Sequence, residues 1–192
     1  MKPASTGRDA IGGVGRGGRL GSVDGEYSIE PGSVDDVDAL EDLWLQIHHH
    51  HQVVGPQSGT FVDDRTSWQV RSACYREWLL ERGSFVLLAR RGDELVGYAL
   101  VRVMPPGPEL ADTWQVPDPV AELESLLVTE AHRGIGLGDR LLDAVDEELA
   151  RQGIGELLVG MVPGNDVAQA LYERRGFRPR WLLLARGEAP AS

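Results

Sequence analysis

The sequence predicts one mixed domain of helices and strands, in the α/β or α+β class, and two observations lead to that prediction. The chain has 192 residues, of which 42% are hydrophobic, and this fits a single globular unit with an ordinary core. From Glu26 onward, segments typical of strands alternate with segments typical of helices, as expected for a sheet covered by helices. Residues 1–25 hold eight of the 24 glycines and few large apolar side chains. We therefore expect a disordered tail over 1–25 and the domain over 26–192.

The first half of the domain is predicted to contain a short strand, two helices and a hairpin. Asp35 and Asp36 precede apolar residues at helical spacing, and Asp63 marks the start of a second helix. Trp68, Ser72, Tyr75, Trp78 and Leu79 form one stripe of that helix and are most simply core residues. The expected strands are residues 27–30, 84–90 and 95–104, the last two joined by an Arg-Gly-Asp turn.

The second half is predicted to alternate strand and helix after a proline-rich loop over 105–119. A strand over 121–129 leads through a glycine-rich turn, residues 132–138, into a helix with an apolar stripe that ends at Gly153. A buried strand over 157–162 follows, and then a short helix capped by Asn165 and ended by Gly176. Residues 181–185 are expected to supply the last strand.

Charge and cysteine content exclude several classes of function. Thirty acidic against nineteen basic residues give a net charge of −11, the wrong sign for gripping a nucleic-acid backbone and favourable for a cationic small molecule or basic peptide. The single cysteine, Cys74, excludes an intrachain disulfide and a multi-cysteine metal site, and fits a reducing compartment. No run approaches the roughly 20 apolar residues of a membrane span, and the start has no signal-peptide core. We therefore expect a cytoplasmic location and no membrane partner.

Four consecutive histidines, residues 48–51, invite a metal-site reading. Adjacent helical positions point about 100° apart, so the four side chains cannot converge on one ion, and at most His48 and His51 pair. We expect no metal. A histidine cluster at a helix end is the alternative.

The glycine turn is the most informative stretch of the sequence. A strand runs through Arg133-Gly134-Ile135-Gly136-Leu137-Gly138 directly into an amphipathic helix, an arrangement that binds anions at free backbone N–H groups. A nucleoside-triphosphate loop is excluded because the chain contains no Gly-Lys pair. A dinucleotide fingerprint also fails, because the third glycine is missing here, and because Gly13, Gly15 and Gly18 in the tail have neither strand nor helix beside them.

The remaining pattern, R-x-x-G-x-G, resembles the GNAT superfamily of acyl-CoA-dependent N-acetyltransferases. A second motif in the expected order strengthens the resemblance. Asn165 is followed, from Leu171 to Phe177, by the sequence LYERRGF, which is similar to the family's signature of an asparagine and then LYE-x-x-GF. Together the motifs cover residues 120–178. The resemblance implies a central twisted sheet, mixed but mostly antiparallel, flanked by helices and splayed between strands 4 and 5. It also implies acetyl-CoA as co-substrate.

The resemblance assigns most site residues to the cofactor. In the family, the pantetheine arm pairs with the backbone of the fourth strand, and the pyrophosphate lies on the glycine turn. Asp139 departs from the family pattern, since a carboxylate beside a pyrophosphate is repulsive, and we expect Arg133 and Arg140 to offset it. The cofactor-binding residues implied are Leu126, Leu127, Val128, Arg133, Gly134, Ile135, Gly136, Leu137, Gly138, Asp139, Asn165 and Tyr172.

The catalytic residues implied are two glutamates and a tyrosine. An amine acceptor arrives as an ammonium, and freeing it at pH 7 costs about 4–5 kcal/mol for a lysine-like pKa. Glu122 and Glu124 share a face of the strand, so either is a candidate base, with Glu124 favoured because it lies nearer the splay. The backbone N–H of Leu127 or a neighbour is expected to stabilise the oxyanion, and Tyr172 to protonate the leaving thiolate.

The function predicted is acetyl transfer from acetyl-CoA to a primary amine by direct attack in a ternary complex. A covalent acyl-enzyme is not expected, because Cys74 lies outside both motifs. Two alternatives stay open: a non-catalytic module that binds and senses an acyl-CoA, and an enzyme that uses another acyl donor. The acceptor is expected to be a small-molecule or peptide amine of cationic character, with Trp114, Asp112 and Asp118 as a candidate lid. A homodimer also stays open.

Overall fold

A sheet in the order β1-β2-β3-β4-β5 forms the centre of the protein. The computed structural model describes residues 27–55 and 60–184, so the predicted tail over 1–25 lies outside the described residues. The pairs β1–β2, β2–β3 and β3–β4 are antiparallel, and β4–β5 is parallel, which confirms the predicted mixed, mostly antiparallel sheet. The strands are β1 Tyr27–Pro31, β2 Phe85–Arg91, β3 Glu94–Met104, β4 Val120–Val128 and β5 Leu157–Val159.

Helices cover both faces of this sheet. Side chains of successive strand residues alternate, so Leu88, Tyr98 and Leu100 join one buried cluster with the first two helices, while Leu87 and Ala99 join another with the fourth. None of the helices in the described ranges is long and apolar enough to cross a membrane. The helices are α1 Glu41–Val54, α2 Asp64–Trp78, α3 Pro108–Ala111, α4 Leu137–Gln152 and α5 Asp166–Arg174, with 3-10 turns at Val34–Leu40 and Glu130–His132.

Local capping chemistry explains where the first helical segments begin. Ser33 caps the 3-10 turn, and its backbone N–H donates to Asp36 at 2.8 Å in a capping box. Asp35 and Asp36 therefore occupy the first turn. Asp63 accepts from the backbone N–H of Thr66 at 2.7 Å, which confirms it as the cap of α2.

The sheet opens between β4 and β5. Pairing runs only from Ala121 with Leu157 to Leu123 with Val159, whereas β4 continues to Val128. The segment 124–128 therefore has no β5 partner, and we call the opening beside it the β4–β5 gap. It is the predicted splay.

The end of the described chain differs from the sequence prediction. Residues 157–162 were expected to form one strand, but pairing stops at Val159 and the chain turns at Gly164, whose φ is +91°. The predicted last strand at 181–185 is wrong over 181–184, which have no regular secondary structure. A strand needs a neighbour to pair with along its backbone, and β5 is only three residues long. Trp181 instead packs edge-on against Trp114.

Candidate active site

The glycine turn has the backbone geometry of an open cradle. Gly134 and Gly136 have φ values of +79° and +81°, a backbone conformation that residues other than glycine adopt only at an energetic cost. A Cβ on either glycine would meet no atom within 4 Å. Helix α4 starts at Leu137 without a side-chain cap, so the N–H groups of its first turn are available to a ligand.

Asp139, the departure from the family pattern, is compensated by a residue that the sequence analysis missed. Its carboxylate lies 3.6 Å from Arg174 of α5. The two expected partners are engaged elsewhere, since Arg133 Nε donates to the Val128 carbonyl at 2.9 Å and Arg140 donates to the Tyr27 carbonyl at 3.2 Å. The expectation that Arg133 and Arg140 offset Asp139 is therefore corrected to Arg174, which is 35 residues distant in sequence and reaches Asp139 only because α5 packs beside α4.

The second motif forms a capped helix that packs next to the glycine turn. Asn165 Oδ1 accepts from the backbone N–H of Ala168 at 3.3 Å, as predicted. Tyr172 is 9% exposed, its ring lies 5.5 Å from that of Phe177, and burial raises its pKa to about 12. Its hydroxyl has no hydrogen-bond partner among the residues that the structure describes. A protonated, uncommitted hydroxyl therefore lies in the α4–α5 layer.

Backbone groups of β4 point into the β4–β5 gap in an alternating pattern. The N–H of Thr129 donates to Val96 at 2.9 Å on the side of β3. Since successive residues of a strand present their N–H and C=O groups to opposite neighbours, those of Leu127 face β3. Those of Leu126 and Val128 face the gap, and the Val128 carbonyl there already accepts from Arg133 Nε.

A β-bulge at Glu124 is the feature of β4 that the sequence did not predict. Leu123 pairs with Val101 and Ser125 with Leu100, so Glu124 is an extra residue without a partner on β3. The bulge puts Glu124 and Ser125 toward the layer of α1 and α2. Glu122 lies on this side as well, opposite Arg102 of β3.

A buried chain of hydroxyl groups holds the bulge. Ser125 Oγ donates to the Glu124 carbonyl at 2.7 Å, so its one proton is used there. Tyr75 must then donate to Ser125, at 2.5 Å, and Tyr98 to Tyr75, at 2.9 Å. Burial raises the pKa of Tyr75 to about 12, so it stays protonated. The chain satisfies a carbonyl that the bulge removes from the β3–β4 ladder.

Ser125→Ala is expected to lower the free energy of unfolding by about 1–3 kcal/mol, because it leaves the Glu124 carbonyl without its donor and the Tyr75 hydroxyl with Tyr98 as its one remaining partner of the chain. Urea unfolding followed by tryptophan fluorescence measures this. Ser72→Ala is the matched control, because Ser72 is similarly buried but donates only to Gln69 of its own helix, at 3.4 Å. Equal losses in the two variants would contradict a special role for Ser125.

Glu124 has the electrostatics of a base that works near neutral pH. Its side chain is 15% exposed. Burial, followed by repulsion from Glu122, raises its pKa from 4.5 to about 7, although the charges of Arg71 and Arg102 oppose the shift. Such a carboxyl is ionised at pH 8 and can accept a proton from an ammonium.

Arg71, on α2, lies beside Glu124 and was not among the site residues predicted from the sequence. Its guanidinium lies 4.1 Å from the Trp44 ring centroid and 5.6 Å from those of Tyr75 and Trp78. Its NH1 is 3.6 Å from Glu124 Oε2. A signal was present in the sequence, because Arg71 precedes Tyr75 by four and Trp78 by seven residues and so shares their helical stripe. The predicted stripe residues Trp68 and Tyr75 are buried as expected.

The histidine run, residues 48–51, lies on α1 and makes separate contacts. His48 Nε2 is 3.0 Å from the Val62 carbonyl, and His49 Nε2 is 2.8 Å from Asp64. Burial, with the neighbouring histidines and Arg71, lowers the pKa of His51. Within the described ranges, no group of three or more residues of the metal-binding types is placed to share an ion.

Comparisons with known proteins agree with this geometry. A family model described as the acetyltransferase (GNAT) family matches residues 38–177. Mycothiol acetyltransferase of Geodermatophilus obscurus is 32% identical over 140 residues, which cover 71% of this chain and 41% of that protein. The chain spans between 40% and 46% of the length of the curated mycothiol acetyltransferases that it matches.

Solved structures share the fold. A GCN5-related N-acetyltransferase from Ralstonia eutropha superposes with a TM-score of 0.60 at 20% identity, covering 83% of this chain and 97% of that one. An aminoglycoside N-acetyltransferase in complex with CoA superposes with a TM-score of 0.63 at 17% identity, covering 88% and 99%. At these identities the likeness concerns the fold.

Proposed function

Since the chain belongs to the GNAT family of acetyltransferases, we propose that it transfers the acetyl group of acetyl-CoA to a primary amine of a small molecule, by direct attack in a ternary complex. One observation carries the proposal. Glu124, whose pKa is about 7, lies on a β-bulge beside the β4–β5 gap, and the strand that carries it continues through one 3-10 turn, Glu130–His132, into the glycine turn. A base and an open anion cradle thus belong to one continuous segment.

The first part of the proposal concerns how acetyl-CoA is held. The glycine turn, Arg133 to Gly138, would bind the pyrophosphate through N–H groups at the start of α4, where the space outside Gly134 and Gly136 is open. The N–H and C=O of Leu126 and the N–H of Val128 would pair with the pantetheine arm, while the Val128 carbonyl is held by Arg133. Arg174 lies 3.6 Å from Asp139, so the phosphates would approach an exposed ion pair rather than a lone carboxylate.

The second part concerns the chemistry. Glu124, directly or through water, takes a proton from the acceptor ammonium, and the amine nitrogen attacks the thioester carbonyl. The expected oxyanion donor was the N–H of Leu127 or of a neighbour. Since the N–H of Leu127 faces β3, an N–H of the gap-facing set, from Leu126 or Val128, takes this role. The N–C bond forms, the nitrogen loses its second proton to water, the C–S bond breaks, and the proton of Tyr172 passes to the thiolate sulfur, after which Tyr172 regains a proton from solvent. Because burial stabilises the protonated form of Tyr172, the proton is in place when the thiolate leaves.

The experiment combines binding with turnover. Release of CoA thiol is measured with acetyl-CoA alone and with a panel of amines, and mass spectrometry identifies the acetylated product. Amine-dependent thiol release supports the proposal. Tight acetyl-CoA binding by calorimetry without thiol release for any amine would favour the alternative, a module that senses an acyl-CoA. Faster release from propionyl-CoA than from acetyl-CoA would identify a different donor.

Tyr172→Phe is expected to lower kcat severalfold or more and to leave acetyl-CoA affinity nearly unchanged. The substitution removes the proton that the proposal gives to the thiolate. It should not disturb the fold, because the hydroxyl makes no hydrogen bond to the described residues. Steady-state rates and calorimetry measure the two effects. Unaltered turnover would remove the acid role from Tyr172.

A further inference from the structure

Arg71 differs from Arg102 and Arg76 because its guanidinium donates no hydrogen bond to a carboxylate of the described residues. Arg102 bonds Glu81 through two nitrogens at 2.7 Å, and Arg76 bonds Asp38 at 2.5 Å. Arg71 makes no hydrogen bond to any of the described residues, although its side chain is only 26% exposed. Its contact with Glu124, at 3.6 Å, is too long for one. A guanidinium on a mostly buried side chain thus has no hydrogen bond from its five N–H donors to the described residues.

The surroundings hold this guanidinium in one orientation. It stacks on Trp44 at 4.1 Å, and Trp44 is itself fixed because its Nε1–H donates to Ser67 at 2.9 Å. Tyr75, whose ring centroid lies 5.6 Å from the guanidinium, is fixed by the buried hydroxyl chain. Stacking occupies the faces of a guanidinium and leaves its N–H edge free, the edge that matches a carboxylate in a two-point contact.

From this we propose that the acetyl acceptor is an amino acid-like zwitterion, whose carboxylate binds Arg71 while its amine meets Glu124. The inference rests on the proposed function and names its substrate class. The aromatic surfaces beside Glu124 are already occupied by Arg71, so they do not serve as a box for a second cation. Glu124 is an ion-pair partner at 3.6 Å but accepts no hydrogen bond from Arg71, so an anion on the acceptor would supply the hydrogen-bonded partner that the guanidinium lacks.

The short distance between the two groups limits the size of the acceptor. With 3.6 Å between Arg71 NH1 and Glu124 Oε2, and ordinary hydrogen bonds to each, the amine nitrogen and the carboxylate oxygen lie roughly 3–9 Å apart. Free amino acids span this range. A long polyamine has the amine but lacks the anion.

The test compares acceptors that differ only in the carboxylate. Thiol release is measured with 2,4-diaminobutyrate against 1,3-diaminopropane, with lysine against cadaverine, and with β-alanine against ethylamine. In the wild-type protein, kcat/KM is expected to be higher for the carboxylate member of at least one pair, by about 10- to 100-fold. Arg71→Gln is expected to reduce that ratio to near one, and Arg71→Lys to leave part of it, because lysine keeps the charge but not the fork.

Arg76→Gln is the matched control, since it removes a half-exposed arginine of the same helix that pairs with Asp38 instead of Glu124, and it should leave the ratio unchanged. If Arg71 acted only on the charge of Glu124, Arg71→Gln would slow both members of a pair equally, and this result would overturn the inference. A wild-type enzyme that acetylates the decarboxylated amines as well or better would overturn the inference and leave the proposed function standing. Turnover of neither member of any pair would also overturn it, while calorimetry with acetyl-CoA reports on the proposed function separately.

Discussion

Glu124→Gln is expected to lower kcat/KM for acetyl transfer by about 100-fold or more, because the amide cannot accept the ammonium proton. Glutamine has the same size and can still occupy the bulge, whose carbonyl is bonded by Ser125 rather than through the side chain. Initial rates of CoA-thiol release, at saturating acetyl-CoA and varied amine, measure the loss. Retention of the wild-type rate would exclude Glu124 as the base.

The pH profile separates a base from a residue that merely shapes the cleft. Because the pKa of Glu124 is about 7 and its ionised form is the active one, wild-type kcat/KM should fall as the pH drops through about 7. The Glu124→Gln variant should not show this fall at low pH, the acidic limb of the pH profile. Glu122→Gln should move it to lower pH, because the charge of Glu122 raises the pKa of Glu124.

The control for these variants is Glu147→Gln. Glu147 is exposed on α4, which packs on the opposite face of the sheet, so both the rate and the limb should stay as in the wild type. If Glu122→Gln shifted the limb upward, or Glu124→Gln kept it, the titrating group would be a different residue. Arg71, Arg102 and Glu81 also act on Glu124, so their charges must be preserved in the comparison.

Gly136→Val is expected to abolish measurable binding of acetyl-CoA, a loss of at least about 100-fold, since several charge-assisted hydrogen bonds to the phosphates would be lost together. A side chain on Gly136 would project into the open space outside the turn, where no atom of the protein lies within 4 Å. Isothermal calorimetry with acetyl-CoA and with CoA measures the effect.

The strain of a β-branched residue at positive φ needs its own control, and the same helix offers one. Gly153 follows the end of α4 and has a φ of +73°, much as Gly136 precedes its start with a φ of +81°. A Cβ added at either position would meet no atom within 4 Å. Gly153→Val therefore adds similar strain at the far end of the helix, and should lower the melting temperature without weakening acetyl-CoA binding. Wild-type affinity in Gly136→Val would contradict the cradle.

Several parts of the site followed from local sequence pattern. The glycine turn was predictable because a strand, closely spaced glycines and an amphipathic helix are short-range features, and Gly134 and Gly136 do have the positive φ that such a turn uses. The caps Asp63 and Asn165 were predictable for the same reason, since each bonds a residue three positions ahead. The splay followed from resemblance to a family rather than from spacing.

Other parts depend on residues that are distant in sequence. The ion pair of Asp139 with Arg174 forms because α5 packs on α4, and no local signal marks it. The β-bulge at Glu124 was missed because the extra residue is visible only when β4 is paired with β3. The strand expected at 181–185 was wrong over 181–184, because apolar β-rich residues form a strand only where a neighbouring backbone is available.

By itself, the amino-acid sequence determined the alternation of strands and helices, the turn that can hold an anion, and the two glutamates on one strand, since each of these depends on residues close together in the chain. Only the tertiary structure decided which glutamate has a pKa near 7, because that value depends on burial and on the charges of Glu122 and Arg71 around it. It likewise decided that Arg71 keeps its donors unused beside Glu124, since hydrogen bonding is settled by the packing of α1 and α2 on the sheet.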